Sequence, residues 1–432
     1  MSVTTWLALA VFAAVYVLIA TELVHRVAAA LGGAVVMLLI GATSPEHAFF
    51  SKRAGIDWDV IFLLLGMMLI VAVLKRTGVF EFAAIWAAKR SRGRPYRLMV
   101  LLILATAFLS AWLDNVTTVL LIAPVTIVVC RRLGLPAVPY LIAEVMACNI
   151  GGAATLIGDP PNIMIGSRAG LSFNDFLLHM APIATLLVVV FAVMARWMFR
   201  SGFVYDAKRA VRVMEMRERD AIKDGRLLAV SGVVVVIVMV CFVLHTTLHI
   251  EPSVVAISGG LVLLAVSRLK ARDVAGDVEW ETLAFFTGLF VMVGAMVQTG
   301  IITDLGQAAA RATEGQLFGA SMALLFGSVV PSAVIDNIPF VASVGPVVSE
   351  IVTASGGLEH AAVLWWSFAL GADLAGNATI IASSANVVVV GIADRSGHHI
   401  SFWQFSRYGL VVTAVTTAIA GLYVWLRYFV LA

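Results

Sequence analysis

Residues 149–162 read NIGGAATLIGDPPN, and residues 373–386 read DLAGNATIIASSAN. At a spacing of 224 residues the two stretches share a Gly, an Ala-Thr pair and a final Asn. Both lie inside long apolar segments. Paired glycines and prolines interrupt the helix in the first stretch, and Gly376 with polar neighbours does so in the second. Irregular backbone at membrane depth is tolerated only where it lines a cavity in the protein. The two stretches therefore predict a pair of broken membrane helices that meet at a functional cavity.

The repetition extends over the chain at a spacing of 222 residues before it slips to 224. A duplication of this size in an apolar chain is typical of secondary transporters, whose substrate site lies between the copies. The matched positions are Trp58 and Trp280, Gly66 and Gly288, Thr77-Gly78 and Thr299-Gly300, Asp114-Asn115 and Asp336-Asn337, and Pro124 and Pro346.

The composition indicates a polytopic membrane protein. Hydrophobic residues make up 61% of the chain, and charged residues make up 13%. A soluble chain carries about twice that share of charge. The first apolar run has no basic residue before it and no cleavage site, so we expect a span and not a signal peptide. We find no disulfide pattern, no P-loop, no hydrolase motif and no nucleic-acid module.

The apolar runs predict four plain spans and two interrupted segments in each copy. We expect residues 1–200 to form the first repeat, 201–226 a cytoplasmic linker and 227–432 the second repeat. The predicted spans are 7–23, 28–43, 60–74, 184–200, 228–244, 254–266, 283–297 and 410–430, and the interrupted segments are 98–130, 138–166, 317–352 and 361–392.

The segment around Asp114 predicts a re-entrant hairpin. Each arm counts about 15 residues, or about 23 Å of helix, which is shorter than a hydrocarbon core of about 30 Å. Five spans plus one hairpin form an odd number of crossings. We therefore predict an all-α fold of ten spans and two hairpins, with one broken helix per repeat and the two repeats in inverted topology.

The basic residues give an independent test of this topology. With the spans above, 24 of the 29 Lys and Arg residues fall on one face. Positive residues concentrate on the cytoplasmic side, so we expect both termini to be extracytoplasmic, in the cell inner (plasma) membrane. The 24 are Arg26, those between Lys75 and Arg97, Arg131, Arg132, those between Arg196 and Arg226, Arg268, Lys270, Arg272, Arg395 and Arg407.

Carboxylates inside apolar segments are the strongest candidates for ion coupling. An ionised acid at membrane depth is costly unless it is paired, and no Lys or Arg lies within the interrupted stretches. Such acids either bind a cation or carry a proton, and both serve coupling. The predicted coupling residues are Asp114, Asp159, Asp336 and Asp373. Glu144, one turn before Asn149, faces either the same cavity or a structural site.

Amides, hydroxyls and glycines beside these acids predict the substrate site. For each amide or hydroxyl the alternative is a hydrogen bond to backbone freed at the helix break. The predicted substrate-binding residues are Asn115, Thr117, Asn149, Gly152, Thr155, Asn162, Asn337, Asn377, Thr379, Ser383 and Asn386. Cys148 is a weaker candidate, as a thiol ligand for As(III), because Ala372 occupies the matching position and a buried Cys is usually a packing residue. We expect no resident metal or cofactor.

At these residues the chain resembles the ArsB/NhaD branch of the ion transporter superfamily. Residues 149–158 followed by Asp-Pro-Pro-Asn162 look like that family's broken helix, and residues 376–386 are similar to the P protein and to ArsB-type permeases. The resemblance implies an elevator-type carrier, a homodimer, with two hairpins that meet near the midplane. Members of the superfamily expel arsenite and antimonite, exchange Na+ for H+, or move organic or inorganic anions.

The chain departs from the more distant divalent anion:sodium symporters at the hairpin tips. Those symporters carry Ser-Asn-Thr at both tips, whereas Asp114 and Asp336 take the Ser places here and Val116 and Ile338 take the Thr places. An unscreened carboxylate beside a dianion is repulsive. The tips therefore disfavour a di- or tricarboxylate, and they suit neutral As(OH)3 or a small cation.

The sequence thus predicts a non-enzymatic, proton-coupled carrier that expels arsenite or antimonite. The alternative is a Na+/H+ antiporter that uses the same carboxylates, and an anion transporter is less favoured. The expected coupling ion is H+ or Na+. The expected partners are a small inorganic substrate, the lipid bilayer, a second copy of the chain and an optional cytoplasmic ATPase subunit, with no nucleic acid.

Overall fold

The computed structural model describes residues 2–21, 23–51, 54–214, 217–312 and 316–431, which are helical and contain no strand. In the first half of the chain the α-helices are α1 (Val3–Thr21), α2 (Arg26–Leu39), α3 (Pro45–Phe50), α4 (Trp58–Thr77), α5 (Val79–Arg90), α6 (Pro95–Ser110), α7 (Asn115–Leu133), α8 (Ala137–Gly152), α9 (Pro160–Ala169), α10 (Phe173–His179), α11 (Ala181–Met198) and α12 (Ala207–Met214).

The second half repeats the order of α1–α9 and α11, without a counterpart of the short helix α10. Its α-helices are α13 (Gly225–Leu248), α14 (Pro252–Ser267), α15 (Ala271–Ala275), α16 (Trp280–Gln298), α17 (Ile301–Ala312), α18 (Leu317–Val334), α19 (Asn337–Ala354), α20 (Leu358–Ala375), α21 (Ser384–Arg395) and α22 (Phe402–Trp425). Single 3₁₀ turns cover Arg200–Gly202, Glu218–Ala221 and Ile380–Ala382, and a π-helical turn covers Leu426–Val430.

Nine helices in the described part of the chain are long and apolar enough to cross a membrane. They differ in how much the protein covers them. Only 22% of the most apolar window of α1 and of α13 is buried, whereas 72% of the α16 window and 61% of the α4 window are buried. Of these two pairs, α4 and α16 are therefore well covered by the rest of the protein, and α1 and α13 are mostly uncovered.

Helices α4 and α16 each pack against a helix of the other half of the chain. Helix α4 packs against α14, and α16 packs against α2. The matched glycines explain this contact, because a Cβ on Gly66 would lie 2.3 Å from the Ala256 carbonyl carbon and a Cβ on Gly288 would lie 2.7 Å from that of Ala30. Small residues allow helix backbones in membranes to approach this closely.

The interrupted segments divide near the expected residues. Helix α8 continues through Gly152, and α9 begins at Pro160, so irregular backbone covers 153–159. In the second half, α20 ends at Ala375 and α21 begins at Ser384, with one 3₁₀ turn between them. Asp114 and Asp336 lie at the breaks that start α7 and α19.

The arm that follows Asp114 is longer than the sequence suggested. Helices α6 and α7, beside Asp114, count 16 and 19 residues, against the expected length of about 15. Helices α18 and α19, beside Asp336, count 18 residues each. At 1.5 Å per residue, 19 residues extend about 29 Å, close to the hydrocarbon thickness. Helix α7 is therefore long enough to cross the membrane, whereas α6, at about 24 Å, falls short of that thickness.

The segment between the halves packs against α5 and the end of α4. The Lys89 ammonium pairs with Glu218, and the backbone N–H of Lys223 donates to the Thr77 carbonyl at 2.9 Å. Lys75 and Arg76 both contact the Asp277 carboxylate. Burial raises the pKa of Asp277, but the hydrogen bonds from these two cations outweigh that effect and lower it below its usual value.

Replacing Gly288 by Val should separate α16 from α2 and destabilise the protein by about 1–3 kcal/mol, as overpacking of a tight contact does. Gly32→Val is the matched control, because a Cβ at Gly32 meets no atom within 4 Å. We expect the thermal midpoint of the purified protein to fall for Gly288→Val and to stay near wild type for Gly32→Val. Equal midpoints for the two variants would contradict the close α2–α16 approach.

Candidate functional site

The two breaks meet through the side chain of Asn149, which is 1% exposed. Its amide nitrogen lies 3.2 Å from the Gly376 carbonyl oxygen and 3.1 Å from each of the amide oxygens of Asn377 and Asn386. Its own amide oxygen accepts a hydrogen bond of 3.3 Å from the Ser383 hydroxyl. One residue of the first half therefore fastens the irregular backbone of the second half.

Asn162 and Asn386 hold the two breaks in the same way. The Asn162 amide nitrogen donates to the carbonyls of Gly152 and Thr155, at 3.4 and 3.1 Å. The Asn386 amide nitrogen donates to the carbonyls of Gly376 and Thr379, at 2.7 and 2.8 Å. These amides donate to backbone carbonyls that lost their helical hydrogen bonds at the breaks. The sequence analysis named this structural role as the alternative to substrate binding.

Thr155 and Thr379 also bind backbone. Their hydroxyls donate to the carbonyls of Ala111 and Ala333 at 2.5 and 2.7 Å. These contacts attach each break to the end of the helix that precedes Asp114 or Asp336. The two threonines therefore position the site, and their donors are already in use.

Asp114 and Asp336 are helix N-caps. Asp114 accepts from the Thr117 backbone N–H at 3.0 Å and from the Thr117 hydroxyl. Asp336 accepts from the Ile338 N–H at 3.1 Å and from the Ser384 hydroxyl at 2.6 Å. A carboxylate at a helix N-terminus is stabilised by exposed N–H groups and by the helix dipole. Both acids are thus partly compensated by their own helices.

Asp159 and Asp373 are less satisfied. Asp159 accepts from the Asn337 amide at 3.2 Å through one oxygen. Its other oxygen, both oxygens of Asp373 and the Asn162 amide oxygen are buried without a hydrogen-bond partner among the described residues. The Asn377 amide nitrogen is also unpartnered there. The centre of the molecule therefore presents several acceptor atoms and one donor.

The four predicted coupling acids act on one another electrostatically. Asp159 lies within electrostatic range of Asp373, Asp336 and Asp114. The Asn162 amide approaches Asp373, although its hydrogens point to the two backbone carbonyls described above. The structure thus brings together the acids that the sequence placed in separate segments.

Cys148 and Glu144 have structural partners. The Cys148 thiol contacts the Ser110 hydroxyl at 3.2 Å and the Asn115 carbonyl at 3.3 Å. Ser332, which matches Ser110, donates its hydroxyl to the Ala372 carbonyl at 3.1 Å, so a backbone group replaces the thiol in the second half. One Glu144 oxygen accepts from the Thr126 hydroxyl at 2.5 Å, and the other is unpartnered among the described residues. No group of three or more His, Cys, Asp or Glu in the described ranges is arranged to hold a metal.

Two residues that the sequence analysis missed lie beside the acids. The Arg26 guanidinium donates to the Ser384 hydroxyl at 2.7 Å and stacks 5.7 Å from the Phe285 ring centre. Glu279, just before α16, lines the same narrow cavity as Arg26, Asp114 and Ser384. The sequence signals were weak, because Arg26 precedes an apolar run as any flanking cation does, and Glu279 belongs to a loop.

Comparison with known proteins identifies the wider group. The family model named CitMHS, with the description citrate transporter, matches residues 16–371. The chain is 51% identical to an uncharacterized transporter of Mycobacterium tuberculosis over 98% of this chain and 99% of that protein. It is 32% identical to the human P protein over 98% of this chain and 60% of that protein.

A solved structure shares the fold. The YdaH transporter of Alcanivorax borkumensis superposes with a TM-score of 0.60 at 16% identity, covering 91% of this chain and 89% of that one. At that identity the likeness concerns the fold alone. The Mycobacterium tuberculosis relative and YdaH are both named transporters, which agrees with the polytopic membrane architecture.

Replacing Asn149 by Ala should destabilise the site, because the acceptors in the second break lose a common donor. An unsatisfied buried polar group costs about 1–3 kcal/mol. Asn174→Ala is the control. The Asn174 amide donates a hydrogen bond to the Val243 carbonyl at 2.7 Å, but this side chain lies near the surface, so its loss leaves no buried group unsatisfied. We expect a clearly lower thermal midpoint for Asn149→Ala than for Asn174→Ala. The bridging role fails if both variants melt together.

Proposed function

Because the chain belongs to the CitMHS citrate transporter family, a group within the ArsB/NhaD-type ion transporter superfamily, we propose that this membrane transporter expels arsenite and antimonite in exchange for protons. One observation carries the proposal. Among the described residues, the buried centre offers four acceptor oxygens without hydrogen-bond partners, from Asp159, Asp373 and Asn162, and one donor without a partner, from Asn377.

A neutral hydroxide fits this set of atoms. As(OH)3 and Sb(OH)3 carry three O–H donors and no charge, so they can donate to the free oxygens of Asp159 and Asp373 and accept from the Asn377 amide. A carboxylate ligand is an acceptor only and would face these oxygens without a hydrogen. The acids also repel an anion. Citrate would therefore need a companion cation, or protons on its own carboxylates, to enter.

Protons provide the driving force in this proposal. Asp114, Asp159, Asp336 and Asp373 are buried, and a site that holds several neighbouring carboxylates is easier to load with protons than to leave fully ionised. A carrier that accepts protons on one side and arsenite on the other couples the two gradients by alternating access. No cofactor is needed.

A Na+/H+ antiporter is the second candidate, and the same oxygens favour it. Na+ takes carboxylate, amide and carbonyl oxygens as ligands, and the unpartnered oxygens of Asp159, Asp373 and Asn162 are of this type. This candidate makes no use of the free Asn377 donor. For that reason we place it second.

The architecture in this proposal is two inverted repeats, 1–200 and 227–432, joined by a cytoplasmic linker at 201–226. Each would hold five spans, one re-entrant hairpin and one broken helix. The swapped packing of α4 on α14 and α16 on α2, and the matched bonds of Asn162 and Asn386, support a two-fold relation between the halves. We place the homodimer in the inner membrane with both termini outside and infer an elevator movement. An ATPase subunit would dock on the linker face.

Transport by Asp373→Asn tests the role of the acids. In vesicles with an imposed pH gradient, we expect the wild type to accumulate arsenite and Asp373→Asn to lose about tenfold or more of the rate, since proton-transfer groups typically contribute about 10²–10⁴-fold. Asp304→Asn, at an exposed carboxylate on α17, should transport normally. Wild-type vesicles that accumulate no arsenite would refute the substrate assignment.

Ligand-induced stabilisation separates the candidate substrates. A ligand that binds the folded state raises the melting midpoint by mass action, by about 2.7 kcal/mol of stability at a concentration of 100 Kd. We expect a rise with arsenite and antimonite and none with sulfate or citrate alone. A rise with Na+ or Li+ only would favour the antiporter, and a rise with citrate plus Mg2+ would favour a citrate carrier. Asp373→Asn is the control, and it should abolish whichever shift is seen.

A further inference from the structure

Equivalent acids in the two halves of the chain have different surroundings. Asp57 and Glu279 are separated by the repeat spacing of 222 residues and directly precede the matched Trp58 and Trp280. Asp57 is fully used: one oxygen caps α4 through the Val60 N–H at 3.2 Å, and the other accepts from the Ser167 hydroxyl at 2.5 Å. Its role is therefore structural.

Glu279 makes no such cap. One of its oxygens accepts from the Thr282 hydroxyl at 3.0 Å, and α16 begins without a side-chain hydrogen bond from Glu279. Its other oxygen is buried and has no partner among the described residues. The longer side chain of Glu279 thus leaves one acceptor free at a position where Asp57 has none.

Glu279 lies on a narrow cavity that is also lined by one of the coupling acids, Asp114. Arg26, Asp114, Glu279 and Ser384 line this cavity, which has about 10 Å³ of space, enough for a single water at most. Arg26 and Ser384 also line a second cavity, of about 350 Å³, which contains Asp336 and His25. The exposed side chain of His25 shows that this second cavity reaches the surface.

Arg26 therefore stands between an outer and an inner cavity. Its guanidinium donates to Ser384, whose hydroxyl donates in turn to Asp336. Asp336 can be approached from the outer cavity, whereas Asp114 faces the inner one together with Glu279. Asp336 and Asp114 thus lie on cavities on opposite sides of the Arg26 guanidinium.

We propose that Glu279 is the proton relay that loads the inner acids, Asp114 first, and that Arg26 with Ser384 is the gate that separates this relay from the outer cavity. The proposal rests on the proton coupling in the proposed function, but not on arsenite as the substrate. Glu279 touches no substrate in this scheme, so it is a positioning and relay residue. The relay moves a proton from water to the free Glu279 oxygen and then to Asp114.

The groups that face Glu279 set its proton affinity. Burial, and then the neighbouring Asp114, raise the pKa of Glu279 to about 7, while the Thr282 hydroxyl and Arg26 act in the opposite direction and Glu281 adds a further small increase. Glu279 is therefore protonated below about pH 7 and ionised above it. A relay of this kind exchanges protons most readily near neutral pH.

Glu279→Gln, with Asp57→Asn as the matched control, tests the relay. In proton-driven transport assays from pH 5.5 to 8.5, we expect the wild type and Asp57→Asn to show a step in rate near pH 7. Glu279→Gln should lose that step and transport about tenfold more slowly. Arg26→Gln should keep the step but leak protons without substrate. A Glu279→Gln variant that keeps both the rate and the step would overturn the proposal.

Infrared difference spectroscopy keeps the test independent of the substrate. A pH jump across 7 on purified wild-type protein should change a protonated-carboxyl band that Glu279→Gln lacks and Asp57→Asn retains. If arsenite is not transported but this band is present, the substrate assignment fails and the relay stands. If the band survives in Glu279→Gln, the relay assignment is wrong whatever the substrate.

Discussion

Backbone polar groups that a broken helix sets free inside a membrane must find partners within the protein. In this chain four side chains meet that requirement: Asn162, Asn386, Thr155 and Thr379 hold the backbone of their own half. They form two matched sets, one in each half. These side chains supply hydrogen bonds to backbone carbonyls at and beside the breaks. The remaining polar atoms at the centre are therefore not needed for that purpose and can contact ligands.

The functional atoms arise where the two halves differ. Asn149 and Asp373 occupy the same position in the repeat, yet Asn149 donates hydrogen bonds into the opposite break and an ionised Asp373 has no hydrogen to donate. The oxygens that Asp373 presents stay without partners among the described residues. Asp57 and Glu279 differ in a similar way. Asp57 caps a helix with one carboxylate oxygen, whereas one carboxylate oxygen of Glu279 has no partner among the described residues. A duplicated scaffold thus becomes an asymmetric site through single side chains.

The sequence predicted much of the fold, because its signals are local. Apolar runs, the Gly and Pro at 158–161 and the repeated Asp-Asn pairs located the spans and breaks within about four residues, except that α22 begins at Phe402, well before the predicted start at 410. The length of the arm after Asp114 was misjudged, because α7 continues past the predicted end at residue 130 through Arg131, Arg132 and Leu133. Arg26 and Glu279 were missed for another reason. Their importance depends on contacts with residues hundreds of positions away, and a charge at a helix end carries no sign of which partner it will meet.

Charge decides between the classes of substrate. Four buried Asp carboxylates and Glu279 surround a centre that one nearby guanidinium, Arg26, compensates only in part, through Ser384. Each further negative charge placed there adds repulsion in a medium of low dielectric, whereas a neutral hydroxide adds hydrogen bonds and no charge. In the proposed transport cycle, protons reduce the repulsion among the acids before any cargo arrives. In the proposed function, proton loading and a preference for an uncharged or cationic cargo therefore follow from the same excess of carboxylates, and an anion would have to carry its own compensating cation to use this site.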